Sequence, residues 1–289
     1  MAKVGNDIGH GIDTFPPSKG VFKKGKGYAE HTFNAAVGLK IREHLQRHGV
    51  HSMEAQGANK PEVALNNRVR YYNAHNCDLV WSTHANYNDN KDVKGMGIFY
   101  WKGNEKAKRI AEYYIRLCRE AGLPIWGNGV FESTNQPKSH WTNFAILRDT
   151  TSTSLLAENG FFSNDEDFER IFNTPSYIDM VAEISAKSIL YGLGVQWKEG
   201  NKVATATQTK GTFRIKTGTF PNARSLADAI ERVKKDFEFM FNEAADTTGF
   251  NPNYRIYTGT FSTKEAAEDV RKQIKEKYGW MTYLIDETK

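Results

Sequence analysis

Short apolar runs alternate with amphipathic patterns through the first two thirds of this 289-residue chain. Residues 3–8 are typical of a strand, and residues 78–84 and 154–158 are apolar runs of strand length, the first of these two being rich in β-branched and aromatic residues. Between these runs, apolar residues recur at three- and four-residue spacing, which predicts helices. Strands that alternate with helices form a mostly parallel sheet flanked by helices. The pattern therefore predicts an α/β fold.

Glycine and proline mark several element ends, since Gly49 and Gly122 follow helical patterns and Pro175 begins one. The predicted strands are 3–8, 50–55, 78–84, 97–101, 144–148 and 154–158. The predicted helices are 29–49, 62–74, 104–121 and 175–193. A glycine-rich loop over residues 9–27 follows the first strand.

A polar segment rich in Thr, Ala, Gly and Lys divides the chain. We place a linker at 198–210, between a domain of residues 1–197 and a domain of residues 211–289. In the second domain Phe-Arg-Ile-Lys-Thr-Gly-Thr-Phe at 213–220 returns as Tyr-Arg-Ile-Tyr-Thr-Gly-Thr-Phe at 254–261. Each copy leads into an amphipathic helix and a further strand-like run, at 237–241 and at 280–285. Two such βαβ repeats predict one small α+β domain, because a single repeat is too short to enclose a core.

Composition excludes several classes of protein. With 39% hydrophobic and 25% charged residues, the chain is not a disordered polymer. The net charge of +5 is spread over the chain, so no basic patch predicts nucleic-acid binding. No apolar run is long enough to cross a membrane, and the first residues lack the pattern of a signal peptide. We expect a cytoplasmic protein whose two cysteines, Cys77 and Cys118, are reduced core residues.

Four titratable residues are expected to meet at one edge of the sheet. His10 follows the first strand within Gly-His-Gly, and Glu30 lies at the start of the first helix. His84 and Glu158 end two apolar strands, and ligands of open α/β sheets bind beyond the carboxyl ends of the strands. Two histidines and a carboxylate are the usual ligand set of a catalytic zinc ion, and a second carboxylate that does not bind the metal can act as general base. In this chain His10, Glu30 and His84 would be the ligands and Glu158 the base.

The spacing alone leaves this assignment open. A histidine at a strand end is more often a hydrogen-bonded polar residue than a metal ligand. The gaps from 10 to 30, 30 to 84 and 84 to 158 also match no short zinc signature such as His-Glu-x-x-His.

Five ordered motifs within about residues 1–195 resemble the zinc-dependent N-acetylmuramoyl-L-alanine amidases of the third amidase family. They are Asn6-Asp-Ile-Gly-His10-Gly, Glu30-His-Thr-Phe-Asn34, Leu65-Asn-Asn-Arg-Val-Arg-Tyr-Tyr-Asn73, Asp78-Leu-Val-Trp-Ser-Thr-His84-Ala-Asn86 and Leu156-Ala-Glu158-Asn-Gly-Phe-Phe-Ser-Asn164. The resemblance implies that His10, Glu30 and His84 bind Zn²⁺ and that Glu158 is catalytic.

The loop over residues 12–27 departs from the family pattern, because Phe15-Pro-Pro and Lys23-Lys-Gly-Lys26 replace its glycine-rich continuation. The family's substrate contacts in this loop are therefore not carried over. His31, beside Glu30, is an alternative ligand. A residue one step along a helix points about 100° away, so we favour Glu30.

Several polar residues near these motifs have two interpretations. Arg68 and Asn73 lie on a predicted helix, where an ion pair or a cap explains them as well as substrate binding does. Asn86 either contacts substrate or ends its strand. Asp7 either orients a histidine ligand or caps the loop.

Four aromatic residues flank a loop rich in Gly, Ser and Asn. We favour core packing for them over an exposed wall that binds sugar or peptide. They are Trp126, Phe131, Trp141 and Phe144.

The doubled repeat resembles a sporulation-related (SPOR) domain, which implies binding to peptidoglycan glycan. The Thr-Gly-Thr-Phe cores at 217–220 and 258–261 either meet ligand from the sheet or are strand ends that bend at glycine.

These resemblances predict a modular enzyme that acts on bacterial peptidoglycan, both glycan and stem peptide. Its zinc-activated water would cleave the amide between N-acetylmuramic acid and L-alanine. The absence of a signal peptide favours a phage-type endolysin, held in the cytoplasm until release. The alternatives are a bacterial autolysin or mother-cell lysis amidase, and a non-catalytic wall-binding protein with a vestigial metal site. His10, Glu30, His84 and Glu158 are all present, and a protein that had lost activity would usually have lost one of them. This observation disfavours the last alternative.

Overall fold

A computed structural model describes residues 2–199, 210–237, 255–258 and 260–287. The chain divides into two compact units, Met1–Lys198 and Glu199–Lys289, which we call the larger unit and the smaller unit. Residues 200–209 of the predicted linker lie outside the described residues, so its bounds at 198–210 stay a prediction.

The larger unit is built on a six-stranded sheet with the strand order β4-β1-β5-β8-β6-β7. Adjacent strands are parallel except β8 and β6, which confirms the predicted mostly parallel sheet. The strands are β1 Lys3–Ile8, β4 His51–Met53, β5 Leu79–Asn86, β6 Met96–Trp101, β7 Ile125–Ser133 and β8 Thr153–Phe161. A separate hairpin pairs β2 Gly20–Lys23 with β3 Lys26–Ala29.

Helices cover both faces of this sheet. They are α1 Glu30–Arg47, α2 Leu65–Ala74, α3 Glu105–Glu120, α4 Ala145–Arg148, α5 Asp165–Asn173 and α6 Pro175–Leu193. Side chains alternate between the faces along a strand, so Leu79 and Trp81 of β5 join the core beneath α1, α3 and α6. Val80, between them, joins a second core with α2 and α4. Cys77 and Cys118 are buried and unpaired, as predicted.

Four local features of the larger unit differ from the sequence-based prediction. Residues 144–148, predicted as a strand, contain the short helix α4, and the loop predicted at 9–27 contains the β2–β3 hairpin. The apolar run before Arg148 is too short for its period to distinguish helix from strand. In the hairpin, Lys24 and Gly25 both have positive φ, as in a type I′ turn. Strand β7 and helix α5 were not predicted, and positive φ at Gly127 and Gly129 interrupts the alternation along β7.

The smaller unit has an antiparallel three-stranded sheet with the order β10-β9-β11. Its elements are β9 Lys210–Thr217, α7 Ala223–Asp236, β10 Phe261–Thr263, α8 Lys264–Tyr278 and β11 Thr282–Asp286. Apolar residues of both helices pack with Ile215 of β9, so the helices cover one face of the sheet. The predicted strand-like run at 280–285 corresponds to β11, whereas most of the run at 237–241 lies outside the described residues. Within the described ranges, no helix has the length and apolar content needed to span a membrane.

Candidate metal centre

The parallel strands β1, β5 and β8 end at the same edge of the sheet, and the predicted residues lie there. His84 of β5 and Glu158 of β8 are register partners, so their side chains project from the same face. The loop after β1 is held at this edge by Gly9, whose N–H donates to the Thr83 carbonyl at 3.0 Å. His10 and Glu30 are thereby brought beside His84.

The three predicted ligands form a compact cluster. One ligand atom from each of His10, Glu30 and His84 lies within 4.8 Å of the other two, the only such group among the described residues. Glu30 lies between the rings, with Oε2 3.2 Å from His10 Nε2 and Oε1 3.0 Å from His84 Nδ1. Two imidazoles and one carboxylate match the ligand set of catalytic zinc.

The Glu30 carboxylate is buried and held in one orientation. Its Oε1 accepts hydrogen bonds from Asn34 Nδ2 at 3.0 Å and from the Ala85 N–H at 3.1 Å. Burial alone would raise the pKa of Glu30, but hydrogen bonds and charge from His10 and His84 lower that pKa well below its usual range. Glu30 is therefore a carboxylate in this site, as a metal ligand must be.

Close packing explains the two glycines around His10. A Cβ atom on Gly9 would lie 2.4 Å from His84 Cε1, and one on Gly11 would lie 2.1 Å from the Glu62 backbone nitrogen. His10 itself has φ of 58°, which is uncommon for a residue other than glycine. The Gly-His-Gly sequence thus lets the end of β1 bring the His10 ring against the His84 ring of β5.

Gln56 holds the backbone of this strand end, a role that the sequence analysis missed. Its Nε2 donates to the carbonyls of Ile8 and His10, and its Oε1 accepts from the Val63 N–H at 2.6 Å. Asn34 was also missed as a positioning residue, although its four-residue spacing from Glu30 on one helix was a usable signal. No comparable pattern marks Gln56, because it acts from a loop distant in sequence.

Glu158 faces the same space with an unsatisfied oxygen. Its Oε2 is buried and has no hydrogen-bond partner among the described residues. Burial raises the pKa of Glu158 well above its usual value, and repulsion from Glu30 adds to this, while Lys19 opposes it. A bound cation would offset the repulsion between the two carboxylates, so these residues fit a metal ion.

His31 is excluded as the competing ligand because both ring nitrogens are engaged. Nε2 accepts from the Asn59 N–H at 3.0 Å, which leaves the proton on Nδ1 to donate to the Gly9 carbonyl at 3.1 Å. The buried ring therefore links two loops that flank the site.

Arg68 and Asp7 form a buried ion pair beneath the site. Arg68 Nη1 donates to both Asp7 oxygens at 2.8 and 2.9 Å, and Tyr72 and Ser82 hydroxyls donate to the same carboxylate. The Arg68 side chain is 4% exposed, which agrees with the ion-pair interpretation and leaves it little surface for substrate. Asp7 therefore holds α2 against the sheet, and none of its hydrogen bonds within the described part of the chain comes from His10 or His84.

Asn73 and Asn86 have structural partners. Asn73 donates to the Asp149 carbonyl and accepts from the Thr151 N–H, which joins α2 to the loop before β8. Asn86 Oδ1 accepts from the Tyr87 N–H at 2.8 Å, as expected of a strand-ending residue. Asn86 also lines the cavity described next, so its contact with substrate stays a prediction.

The four aromatic residues after β6 mainly pack together. All of them surround Phe99 with ring centroids 5.1 to 6.1 Å from its own, which agrees with the preferred core interpretation. Trp141 differs from the other three because its side chain is 63% exposed. Phe144 also lines the cavity described next. This cluster thus supports one wall of the site.

A cavity of about 890 Å³ opens over the cluster. It is lined by all six predicted site residues together with aromatic and aliphatic side chains from the β2–β3 hairpin, α4 and β8. A cavity of this size accommodates a sugar and several peptide groups.

The smaller unit presents a polar and aromatic row on the sheet face opposite its helices. Lys216 of β9 is the register partner of Tyr283 in β11 and bridges to Tyr257 on its other side. The two tyrosines are 46% (Tyr257) and 44% (Tyr283) exposed, and Lys216 Nζ lies 5.7 Å from the Tyr283 ring centroid. Thr217 ends β9, so the first Thr-Gly-Thr-Phe core begins at a strand end, whereas residue 259 of the second lies outside the described residues.

Comparison with protein families identifies the chain. Residues 5–191 match the N-acetylmuramoyl-L-alanine amidase family, well over half of the 289 residues. The chain belongs to this family. Residues 209–280 of the amidase match the SPOR domain. Peptidoglycan is the substrate and binding partner consistent with both domains. No curated protein sequence gives a significant match.

Solved structures share the fold of the larger unit. The catalytic domain of the amidase CwlV from Bacillus (Paenibacillus) polymyxa var. colistinus is 24% identical with a TM-score of 0.56, covering 68% of this chain and 100% of that one. AmiC2 of Nostoc punctiforme is 24% identical with a TM-score of 0.55, covering 67% of this chain and 97% of its own. CwlD from Clostridioides difficile, solved with the GerS lipoprotein, is 20% identical with a TM-score of 0.57, covering 68% and 100%.

We predict that Gly9→Ala weakens the binding of a metal ion offered to this cluster without unfolding the amidase. The added methyl group would displace the His84 ring, so affinity for zinc should fall at least about tenfold, as when groups that orient a ligand are lost. Elemental analysis after dialysis against a competing chelator checks this, with circular dichroism as the measure of folding.

Gly57→Ala is the matched control, because the nearest atom to its new methyl group is the flexible Lys60 side chain at 3.2 Å. Equal zinc content in the two variants would contradict the role given to Gly9.

Proposed function

We propose that the chain is a zinc-dependent hydrolase that cleaves the amide between N-acetylmuramic acid and L-alanine in peptidoglycan. The observation that carries this proposal is the convergence of His10, Glu30 and His84 within 4.8 Å, with Glu158 in register beside His84. Family membership supports the choice of amide bond.

His10, Glu30 and His84 would hold the zinc ion. When bound there, zinc would lower the pKa of a water molecule and polarise the amide carbonyl. The hydrogen bonds from Asn34 and Ala85 to Glu30 Oε1 fix the carboxylate, so that Oε2 remains directed toward His10. The chain thus supplies a preorganised ligand set.

Glu158 would act as the general base. Glu158 lines the cavity, and its buried Oε2 has no hydrogen-bond partner among the described residues, so its carboxylate would accept the proton of the attacking water and then deliver it to the departing alanine nitrogen. A carboxylate kept out of bulk water exchanges protons with the substrate in preference to the solvent. Charge compensation at the neighbouring cluster keeps this group ionised in the loaded enzyme.

Digestion of purified peptidoglycan tests the proposal. We expect new L-alanine amino termini, no new reducing sugar ends, loss of activity with a chelator and recovery with added zinc. Glu158→Gln should keep its zinc and its affinity for walls but lose at least about 100-fold in turnover, the usual lower contribution of a general base.

Three results would contradict parts of this scheme. New reducing ends would assign cleavage to the glycan, and activity that persists with a chelator would exclude the metal. Near-normal turnover by Glu158→Gln would remove Glu158 as the base.

We infer that the smaller unit holds the enzyme on the wall through the row of Tyr257, Lys216 and Tyr283. Flat rings and an amine on an open sheet face can pack on sugar rings and donate hydrogen bonds to their hydroxyls. This proposal is supported by the exposure of the two tyrosines, by the face that they share with Lys216, and by the match to the SPOR domain.

In the full-length Glu158→Gln variant, which should not digest the wall, Tyr257 and Tyr283 are both changed to alanine. The affinity for purified walls, measured by co-sedimentation, should fall about tenfold, equivalent to about 1.4 kcal/mol of binding free energy. Tyr191→Ala is the control, because Tyr191 is 48% exposed but belongs to the larger unit. If wall affinity falls equally in the two variants, or falls in neither, the row of Tyr257, Lys216 and Tyr283 does not bind the wall.

We also propose a phage-type endolysin role, with the protein held in the cytoplasm until the membrane is breached. The pairing of a wall-cleaving unit with a wall-binding unit supports this role. Expression in the cytoplasm of bacteria with a susceptible wall should leave cells intact until the membrane is permeabilised, and lysis should follow at once. Lysis without permeabilisation, or lysis confined to sporulating mother cells, would favour the bacterial alternatives.

A further inference from the structure

Lys19 belongs to the segment that departs from the family pattern. It directly precedes β2, has a φ of 62°, and its carbonyl accepts the Glu30 N–H at 2.9 Å. The hairpin that follows is anchored on α5, where Lys23 Nζ lies 2.5 Å from Asp165 Oδ1. The Lys19 backbone is therefore fixed beside the metal cluster while its side chain is exposed.

Two adjoining cavities meet at Lys19. The second, of about 410 Å³, shares His10, Pro17, Ser18, Lys19 and Glu62 with the first. The proposed substrate extends in two directions from the reacting amide, with the glycan on the acyl side and the stem peptide on the amine side. Two adjoining cavities beside the metal cluster can hold the two sides of such a ligand.

Lys19 is the exposed basic side chain where the two cavities meet. Arg68, the other arginine or lysine that lines the cavities, is buried against Asp7. Glu62 and Glu158 line the same space and the charge of Lys19 opposes the raised pKa of Glu158, but no carboxylate among the described residues forms an ion pair with Lys19. An exposed ammonium at a cavity wall can therefore bind a carboxylate of the substrate.

We propose that Lys19 binds a carboxylate of the stem peptide and makes the enzyme prefer peptides in which this group is free. The inference rests on the proposed amidase function and specifies its substrate. Two carboxylates of the stem peptide have the required chemistry, the α-carboxylate of an acidic second residue and the C-terminal carboxylate.

The test uses the zinc-loaded full chain and three soluble N-acetylmuramoyl tetrapeptides with an acidic second residue. One has free carboxylates, one is an amide at the second residue, and one is an amide at the C-terminus. For the wild type, one amide should lower kcat/KM at least about tenfold, mainly through KM, and the identity of that amide locates the contact. Lys19→Met should lose this preference, and Lys19→Arg should retain it.

Lys24→Met is the matched control, because Lys24 lies at the hairpin turn with a positive φ and lines neither cavity. The proposal is overturned if Lys19→Met keeps the wild-type preference, or if it lowers kcat equally on all three substrates, which would indicate an effect through Glu158.

Equilibrium binding of the same peptides to full-length Glu158→Gln separates this inference from the proposed function. Tighter binding of the free acid, abolished by Lys19→Met, supports the Lys19 contact whether or not the wild type cleaves the amide. Equal affinity for acid and amides overturns it.

Discussion

The buried charge of Glu30 is the constraint on which the rest of the site depends. A carboxylate without water is costly unless donors surround it, and Glu30 obtains them from His10, His84, Asn34 and the Ala85 backbone. These groups come from the ends of two strands and the first turn of α1. The helix must therefore begin at the sheet edge and nowhere else, and the two imidazoles are held together by the same charge that would help them bind a cation.

A second layer of polar contacts keeps this edge in place. Asp7, Arg68 and Gln56 are buried, and their hydrogen bonds join β1 to α2, to β5 and to the loop that precedes α2. Networks of this kind are rigid when every member is satisfied and costly when one is lost. The floor of the cavity is accordingly made of polar groups that hydrogen bonds hold in place, whereas its walls are formed by side chains of the hairpin and α4.

Much of this arrangement could be predicted from the sequence, because long periodic segments and ordered motifs carry the signal. Pro175–Leu193 was predicted with its bounds, and His10, Glu30, His84 and Glu158 were placed at one edge from three strand ends and one helix start. Short segments failed for physical reasons. The run around Ile146 has too few residues to show a period, and β7 is interrupted by glycines with positive φ.

Contacts between segments distant in the chain could not be predicted from the sequence for a different reason. Nothing in a helix pattern tells whether Arg68 meets a buried aspartate or a substrate, and nothing in a loop marks Gln56 as the residue that holds a strand end. These roles depend on which loops the fold brings together.

The β2–β3 hairpin is closed at its base beside Glu30. Gly20 pairs with Ala29, and the Lys19 carbonyl accepts the N–H of Glu30, so both ends of the hairpin are pinned at the start of α1. Val21 and Phe22 line the cavity, whereas the turn residues Lys24 and Gly25 do not, so the turn can be exchanged or lengthened while the proposed ligands keep their place. The amidase therefore offers a natural grafting point, where new wall specificities can be engineered into one turn without rebuilding the site.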